Sequence, residues 1–107
     1  MADPDTLARL EATVLARRRA DPDSSYVAKL NARGLNKIAQ KLGEEATETV
    51  IAALAEDRQA LVGEAADLLF HLVVLLAARE VPLAEVLAEL DRREGVSGIA
   101  EKAARPS

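Results

Sequence analysis

The stretch LVGEAADLLFHLVVLLAA, residues 61–78, decides the fold. Every residue in it is apolar or glycine except Glu64, Asp67 and His71. Their spacing of i, i+3, i+7 puts all three on one stripe of an α-helix. A helix that is apolar on all its other sides calls for burial over most of its surface. Two carboxylates on such a helix are costly to desolvate unless they pair with cations or open into a cleft. The stretch therefore reads as the central helix of an all-α domain with a polar seam that needs a partner.

The segment just upstream supplies one. A helix is expected over about 36–56, with an apolar arc of Leu42, Ala46, Val50, Ala53 and Leu54. Lys37, Lys41, Glu44 and Glu48 form a second stripe, and Glu45 lies between the two, placed to face a neighbouring helix. Asp57 caps the next helix, which runs to about residue 79. Folding the pair into an antiparallel hairpin that pivots near Glu56 sets Glu48 opposite Glu64, Glu45 opposite Asp67 and Lys41 opposite His71. Helix axes about 8–10 Å apart let facing carboxylates meet through an ion. Without one, four converging negative charges repel or take up protons. Magnesium suits such a site because it takes oxygen ligands and keeps waters that substrate phosphates can displace. Four carboxylates are enough for more than one ion. The plainer alternative is that GEEATE is a solvated helix face, since acidic residues at i, i+3 and i+4 are routine there.

The rest of the chain reads as further helix, sparsely punctuated. A first helix is expected over about 4–20, with Asp3 as cap and Pro4 at its first position. DPDSS, residues 21–25, is turn chemistry. A short helix follows over about 26–33, with Gly34 suited to the αL position at its end. Val81-Pro82 breaks the chain and opens a fifth helix to about 94, and the tail over 95–107 reads as irregular or weakly helical. No repeat or second domain is visible, so the expectation is one bundle of about five helices spanning residues 1–107.

Composition bounds the function. At 107 residues the chain is short for burying a full core alone, and oligomerisation is a common remedy. One Tyr, one Phe and no Trp leave little surface on which to stack bases, and a net charge of −4 opposes binding to a phosphate backbone; no nucleic-acid partner is expected. No cysteine and a single histidine exclude disulfides, thiolate sites and multi-histidine zinc. The N-terminus lacks a secretory pattern, and the apolar run over 68–78 is too short to span a bilayer; a cytoplasmic protein is expected. His71 is either a member of the site or a hydrogen-bonded core histidine. Lys37 and Lys41 either bind phosphate or form surface pairs with Glu44 or Glu45. Arg17, Arg18 and Arg19 read as a solvated helix end. Tyr26 and Phe70 read as packing residues, although the Tyr26 hydroxyl could reach a ligand.

Glu44-Glu45-x-x-Glu48 followed by Glu64-x-x-Asp67 resembles the signature of the all-α nucleoside triphosphate pyrophosphohydrolases, which include MazG-like enzymes and dimeric dUTPases. Three segments narrow the resemblance to the phosphoribosyl-ATP pyrophosphatase family: SYVAKLNARGLNKIAQKLGEEATETVIAA over 25–53, EAADLLFHLVVLLAAREVPLAEVLAELDRR over 64–93 and SGIAEKAAR over 97–105. The first twenty residues are less distinctive. The resemblance implies hydrolysis of phosphoribosyl-ATP to phosphoribosyl-AMP and pyrophosphate, the second step of histidine biosynthesis, by a magnesium-dependent homodimer. It implies Glu45, Glu48, Glu64 and Asp67 as metal ligands and Glu44 as the group that orients or deprotonates the water. Lys37 and Lys41 would hold phosphates, with help from Lys29 and Lys102. In some members a zinc-dependent cyclohydrolase is fused to this domain; the short, cysteine-free chain is expected to lack it. Two rivals remain: a housecleaning pyrophosphohydrolase acting on other nucleoside triphosphates, and a non-enzymatic helical dimerisation module.

Overall fold

A computed structural model describes residues 5–94. All regular structure among them is helical: α1 (Thr6–Arg17), α2 (Tyr26–Arg33), α3 (Leu35–Ala55), α4 (Arg58–Ala78) and α5 (Leu83–Arg93). The tail over 95–107, with Lys102, and the expected Asp3 cap and Pro4 start lie outside the described residues. α1 begins at Thr6 and ends at Arg17, three residues short of the expected end. The turn takes over early: Asp21 accepts from the Asp23 N–H through its side chain and from the Ser24 and Ser25 N–H groups through its carbonyl. Pro22 also disfavours helical backbone at the residue before it.

The caps explain the other boundaries. Ser25 accepts from the Ala28 N–H at 3.2 Å and opens α2; Asp57 accepts from the Ala60 N–H at 2.8 Å and opens α4. Gly34 has the expected positive φ (96°) but ψ of 169°, outside αL and in a region reserved for glycine. That elbow turns the chain directly from α2 into α3. α4 closes with the Val81 N–H on the Leu76 carbonyl and the Glu80 N–H on the Ala77 carbonyl, a Schellman pattern with Glu80 at φ 57° where glycine is usual. Arg18, expected in solvent, donates to the Ala77 carbonyl at 3.0 Å, and Glu11 accepts from the Leu83 N–H at 2.7 Å. α1 thus satisfies the end of α4 and the start of α5.

α3 and α4 share the most extensive helix-to-helix packing, and α1 lies against α4. The core joins Val14 of α1, Val27 and Leu30 of α2, Ile38 of α3 and Val73, Val74 and Ala77 of α4. Burying each large member contributes about 1.5–3 kcal/mol. The core occupies one end of the α3–α4 pair. Within the expected apolar arc, Leu42 and Ala46 are half-buried, but Val50, Ala53 and Leu54 face outward, Leu54 at 83% exposure. α4 as a whole is also longer than the 68–78 run suggested: it has 21 residues and its most apolar window reaches a mean hydropathy of 1.9, long and apolar enough to cross a membrane by length and composition.

Candidate metal centre

Carboxylate oxygens of Glu45, Glu48 and Glu64 lie within 4.8 Å of one another. Glu45 and Glu48 are neighbours on α3 because residues three apart share a helix face. Glu64 arrives from α4 at a height fixed by Thr49. The Thr49 hydroxyl lies 2.8 Å from the Glu45 carbonyl oxygen and 3.1 Å from that of Glu64. Both are acceptors, so one hydroxyl hydrogen bridges the two helices.

Burial grades the three. Glu45 is only 8% exposed, Glu64 is half-buried and Glu48 is exposed. Among the described residues, Glu45 Oε2 is a buried atom without a hydrogen-bond partner. Burial first, then a hydrogen bond and the charge of Glu48, then the charge of Asp67, push the Glu45 carboxyl above its usual range; His71 works against this. The Glu64 carboxyl is raised too, first by a hydrogen bond with Glu48, then by burial and the surrounding carboxylates. Such groups keep their protons to higher pH than a free carboxyl because their charges are poorly offset. An orphaned buried oxygen in an all-oxygen donor set fits a hard divalent cation.

Asp67 stands beside this trio rather than within it. With Glu45, Tyr26, Phe70 and His71 it lines a cleft of about 410 Å³. His71 is 5% exposed, with Nδ1 2.7 Å from the Asp67 carbonyl and Nε2 3.0 Å from the Tyr26 hydroxyl. A carbonyl only accepts, so Nδ1 carries the hydrogen, and Nε2 is left to pair with the Tyr26 hydroxyl. Tyr26 and Phe70 stack at 5.9 Å between ring centroids, and both rings meet His71 edge-on. Glu48 and Glu64, with Ile51 and Glu56, line a second cleft of about 300 Å³.

Glu44 and the lysines gather elsewhere. Lys29, Lys37 and Lys41 line a third cleft of about 190 Å³ with Arg33, Glu44 and Tyr26. Gln40 donates to Glu44 Oε2 at 3.0 Å and Lys41 pairs with Glu44 Oε1 at 3.5 Å. The Gln40 bond first, then Lys41 and Lys37, lower the Glu44 pKa against its own desolvation. The Tyr26 hydroxyl, ahead of Glu44, raises that of Lys41. The sequence does not single out Arg33, although it stands i+4 from Lys29, and it gives Tyr26 and Phe70 as packing residues, with only the Tyr26 hydroxyl in reach of a ligand. An apolar groove of about 300 Å³ beside α5, walled by Val81, Val86 and Leu90, holds none of the candidate site residues.

Residues 7–94 match the family model described as phosphoribosyl-ATP pyrophosphohydrolase. A phosphoribosyl-ATP pyrophosphatase of Novosphingobium aromaticivorans is 73% identical over 105 residues, 98% of either chain. Its counterpart in Rhizorhabdus wittichii is 72% identical over 101 residues, 94% of this chain and 95% of that one. The Erythrobacter litoralis protein of that name is 71% identical over 101 residues, 94% of this chain and 97% of its own. The chain belongs to the phosphoribosyl-ATP pyrophosphohydrolase family.

Proposed function

We propose that this chain hydrolyses phosphoribosyl-ATP to phosphoribosyl-AMP and pyrophosphate, with magnesium, as a step of histidine biosynthesis in the cytoplasm. Family membership and relatives above 70% identity, matched nearly end to end, support the substrate. The observation that supports the metal is the partnerless buried Glu45 Oε2 beside the Glu48 and Glu64 carboxylates. Glu45, Glu48, Glu64 and Asp67 would hold magnesium, which when bound supplies positive charge against the polyphosphate oxygens.

The chain's own residues do the rest. Thr49 fixes the register of α3 on α4 and so the spacing of the carboxylates. His71 holds the Tyr26 hydroxyl at the wall of the Asp67 cleft. Lys37 and Lys41 bind phosphate oxygens as point charges, with Lys29 and Lys102 in support. Glu44, which borders the basic cleft and is the chain neighbour of Glu45, would orient the attacking water; with its lowered pKa it is ionised at neutral pH, as a proton acceptor must be. No covalent intermediate is invoked.

The same reading makes α3 and α4 a central antiparallel hairpin in a homodimer. Within one chain only 22% of the most apolar window of α4 is buried. A membrane is the other cover for so apolar a helix. However, α3, packed along it, carries Lys37, Lys41, Glu44, Glu45 and Glu48, so a second copy of the chain fits better.

The test is pyrophosphate release from phosphoribosyl-ATP and from a panel of nucleoside triphosphates, with and without magnesium. Glu45→Gln and Asp67→Asn are expected to lower kcat by about 10²–10³-fold or more with circular dichroism unchanged. Turnover of the panel but not of phosphoribosyl-ATP would point to the housecleaning reading, and near-normal rates in both variants would remove the ligand assignment.

A further inference from the structure

The cleft between α2 and α3 is as one-sidedly basic as the carboxylate clefts are acidic. Lys29 and Arg33 stand i, i+4 on α2; Lys37 and Lys41 stand i, i+4 on α3; the Gly34 elbow brings the two stripes to one cleft of about 190 Å³. Like charges at i, i+4 oppose helix formation by a few tenths of a kcal/mol per pair. Four cations face one carboxylate there, Glu44, and that group is already held by Gln40 and Lys41. Lys29, Arg33 and Lys37 have no ion pair among the described residues. So dense a positive cluster on a chain of net charge −4 is arranged for an anion.

Its position says which anion. Among the described residues no Lys or Arg lines either carboxylate cleft, so the basic cleft and the carboxylate clefts are kept apart. A polyphosphate gathered at the carboxylates through metal receives its positive charge from the ions. A phosphate beyond their reach must receive it from side chains. Tyr26 is the wall that the basic cleft shares with the Glu45–Asp67 cleft, and its ring with Phe70 offers a flat apolar surface between the two. One molecule with phosphate at two ends can lie across that wall. Phosphoribosyl-ATP is such a molecule: a triphosphate at one end and the phosphate of the added ribose at the other.

We propose that the α2–α3 cleft binds the phosphate of the added ribose and that Lys29 and Arg33 determine specificity for substrates that carry it. The assignment rests on the phosphoribosyl-ATP reading for the identity of the ligand. Arg33 supplies the planar fork that matches a phosphate, and Lys29 and Lys37 supply point charges. Both residues of α2 are exposed, so their replacement leaves the core intact.

The experiment compares the full-length protein with K29A, R33A, the double variant and R33K. Each is assayed with phosphoribosyl-ATP and with the same nucleotide lacking the ribose phosphate. Binding of ribose 5-phosphate without metal is followed by NMR. The double variant is expected to lose about 10- to 100-fold of the wild-type preference for the phosphorylated substrate, the loss appearing in KM. R33K should restore part of what R33A loses, and ribose 5-phosphate should perturb α2 and the start of α3 in the wild type but not in the double variant. Equal effects on both nucleotides, or ribose 5-phosphate binding that the double variant retains, would overturn the subsite. A wild type that turns over no phosphoribosyl-ATP would instead overturn the parent reading, and ribose 5-phosphate binding would then decide the cleft by itself.

Discussion

At one end of the α3–α4 pair, Ile38, Val73, Val74 and Ala77 are buried with α1 and α2 around them; at the other, Val50, Leu54 and Val62 carry the same kind of side chain into solvent. The two ends differ in cover rather than in composition. α1 and α2 are short helices, 12 and 8 residues against 21 in α3 and in α4, so they cover one end and run out. Glu45, Glu48 and Glu64 sit along the pair between these ends, where burial is deep enough to desolvate Glu45 yet open enough to leave Glu48 exposed. A metal centre needs that gradient: fully covered, the carboxylates would simply protonate, and fully bare, they would prefer water.

The contrast breaks most sharply at Ile38, which is 1% exposed. Ile38→Ala removes a core side chain that several helices enclose and should destabilise the fold by about 2–5 kcal/mol. Urea unfolding followed by circular dichroism measures this. Val50→Ala, on the bare end of the same helix, serves as the comparison and should fall within about 0.5–1 kcal/mol of wild type in dilute protein. Equal losses at the two sites would mean that the covered end is not the core.

The bare end is sharpened by making it hostile to a second copy. Leu54→Asp combined with Val62→Asp puts charge where both helices are apolar and exposed, and an isologous interface would receive each charge twice. Light scattering should give twice 11.4 kDa for the wild type and 11.4 kDa for the double variant, with helicity retained. A wild type that stays at 11.4 kDa at micromolar concentration would show that this surface does not make a stable dimer.

Much of this was legible in the sequence, and what was not has a common cause. Five helices and their main breaks follow from period, caps and Val81-Pro82, because these signals are local. Glu45 near Glu48 and Glu64 follows from helical spacing plus one turn near Glu56. The bare ends of the apolar arc were not legible, because periodicity shows which residues want cover and not whether the same chain provides it. Nor was the separation of Glu44 from Glu45: adjacent residues on a helix point about 100° apart, and only the neighbouring Gln40 and Lys41 decide where Glu44 rests. Arg18 on Ala77 and Glu11 on Leu83 are contacts between residues more than fifty positions apart, beyond any local signal.

The smallest expected effect tests the electrostatics at the middle of the pair. In the metal-free protein Glu45 and Glu64 have carboxyl pKa values raised above the usual 4.5 by burial and by neighbouring carboxylates. Their protonated forms are favoured by folding. The stability they contribute is therefore fully present below about pH 4.5 and is lost as pH rises through the raised values. Glu89 on α5 has the opposite sign: hydrogen bonds from Arg92 and Arg93 hold it down to about 2, so its contribution is present above 4.5 and lost as pH falls toward 2. Glutamine cannot ionise. Without metal, the Tm of Glu45→Gln relative to wild type should therefore climb between pH 5 and pH 8, by roughly 4–8 °C for each kcal/mol that the wild type loses. Glu89→Gln should differ from wild type in the other direction, losing its deficit only in acid. Magnesium at about 100 times its dissociation constant adds about 2.7 kcal/mol to a fold that binds it, so it should cancel or reverse the Glu45→Gln advantage at pH 8. If that advantage neither changes with pH nor responds to magnesium, Glu45 is an ordinary buried side chain and not a metal ligand.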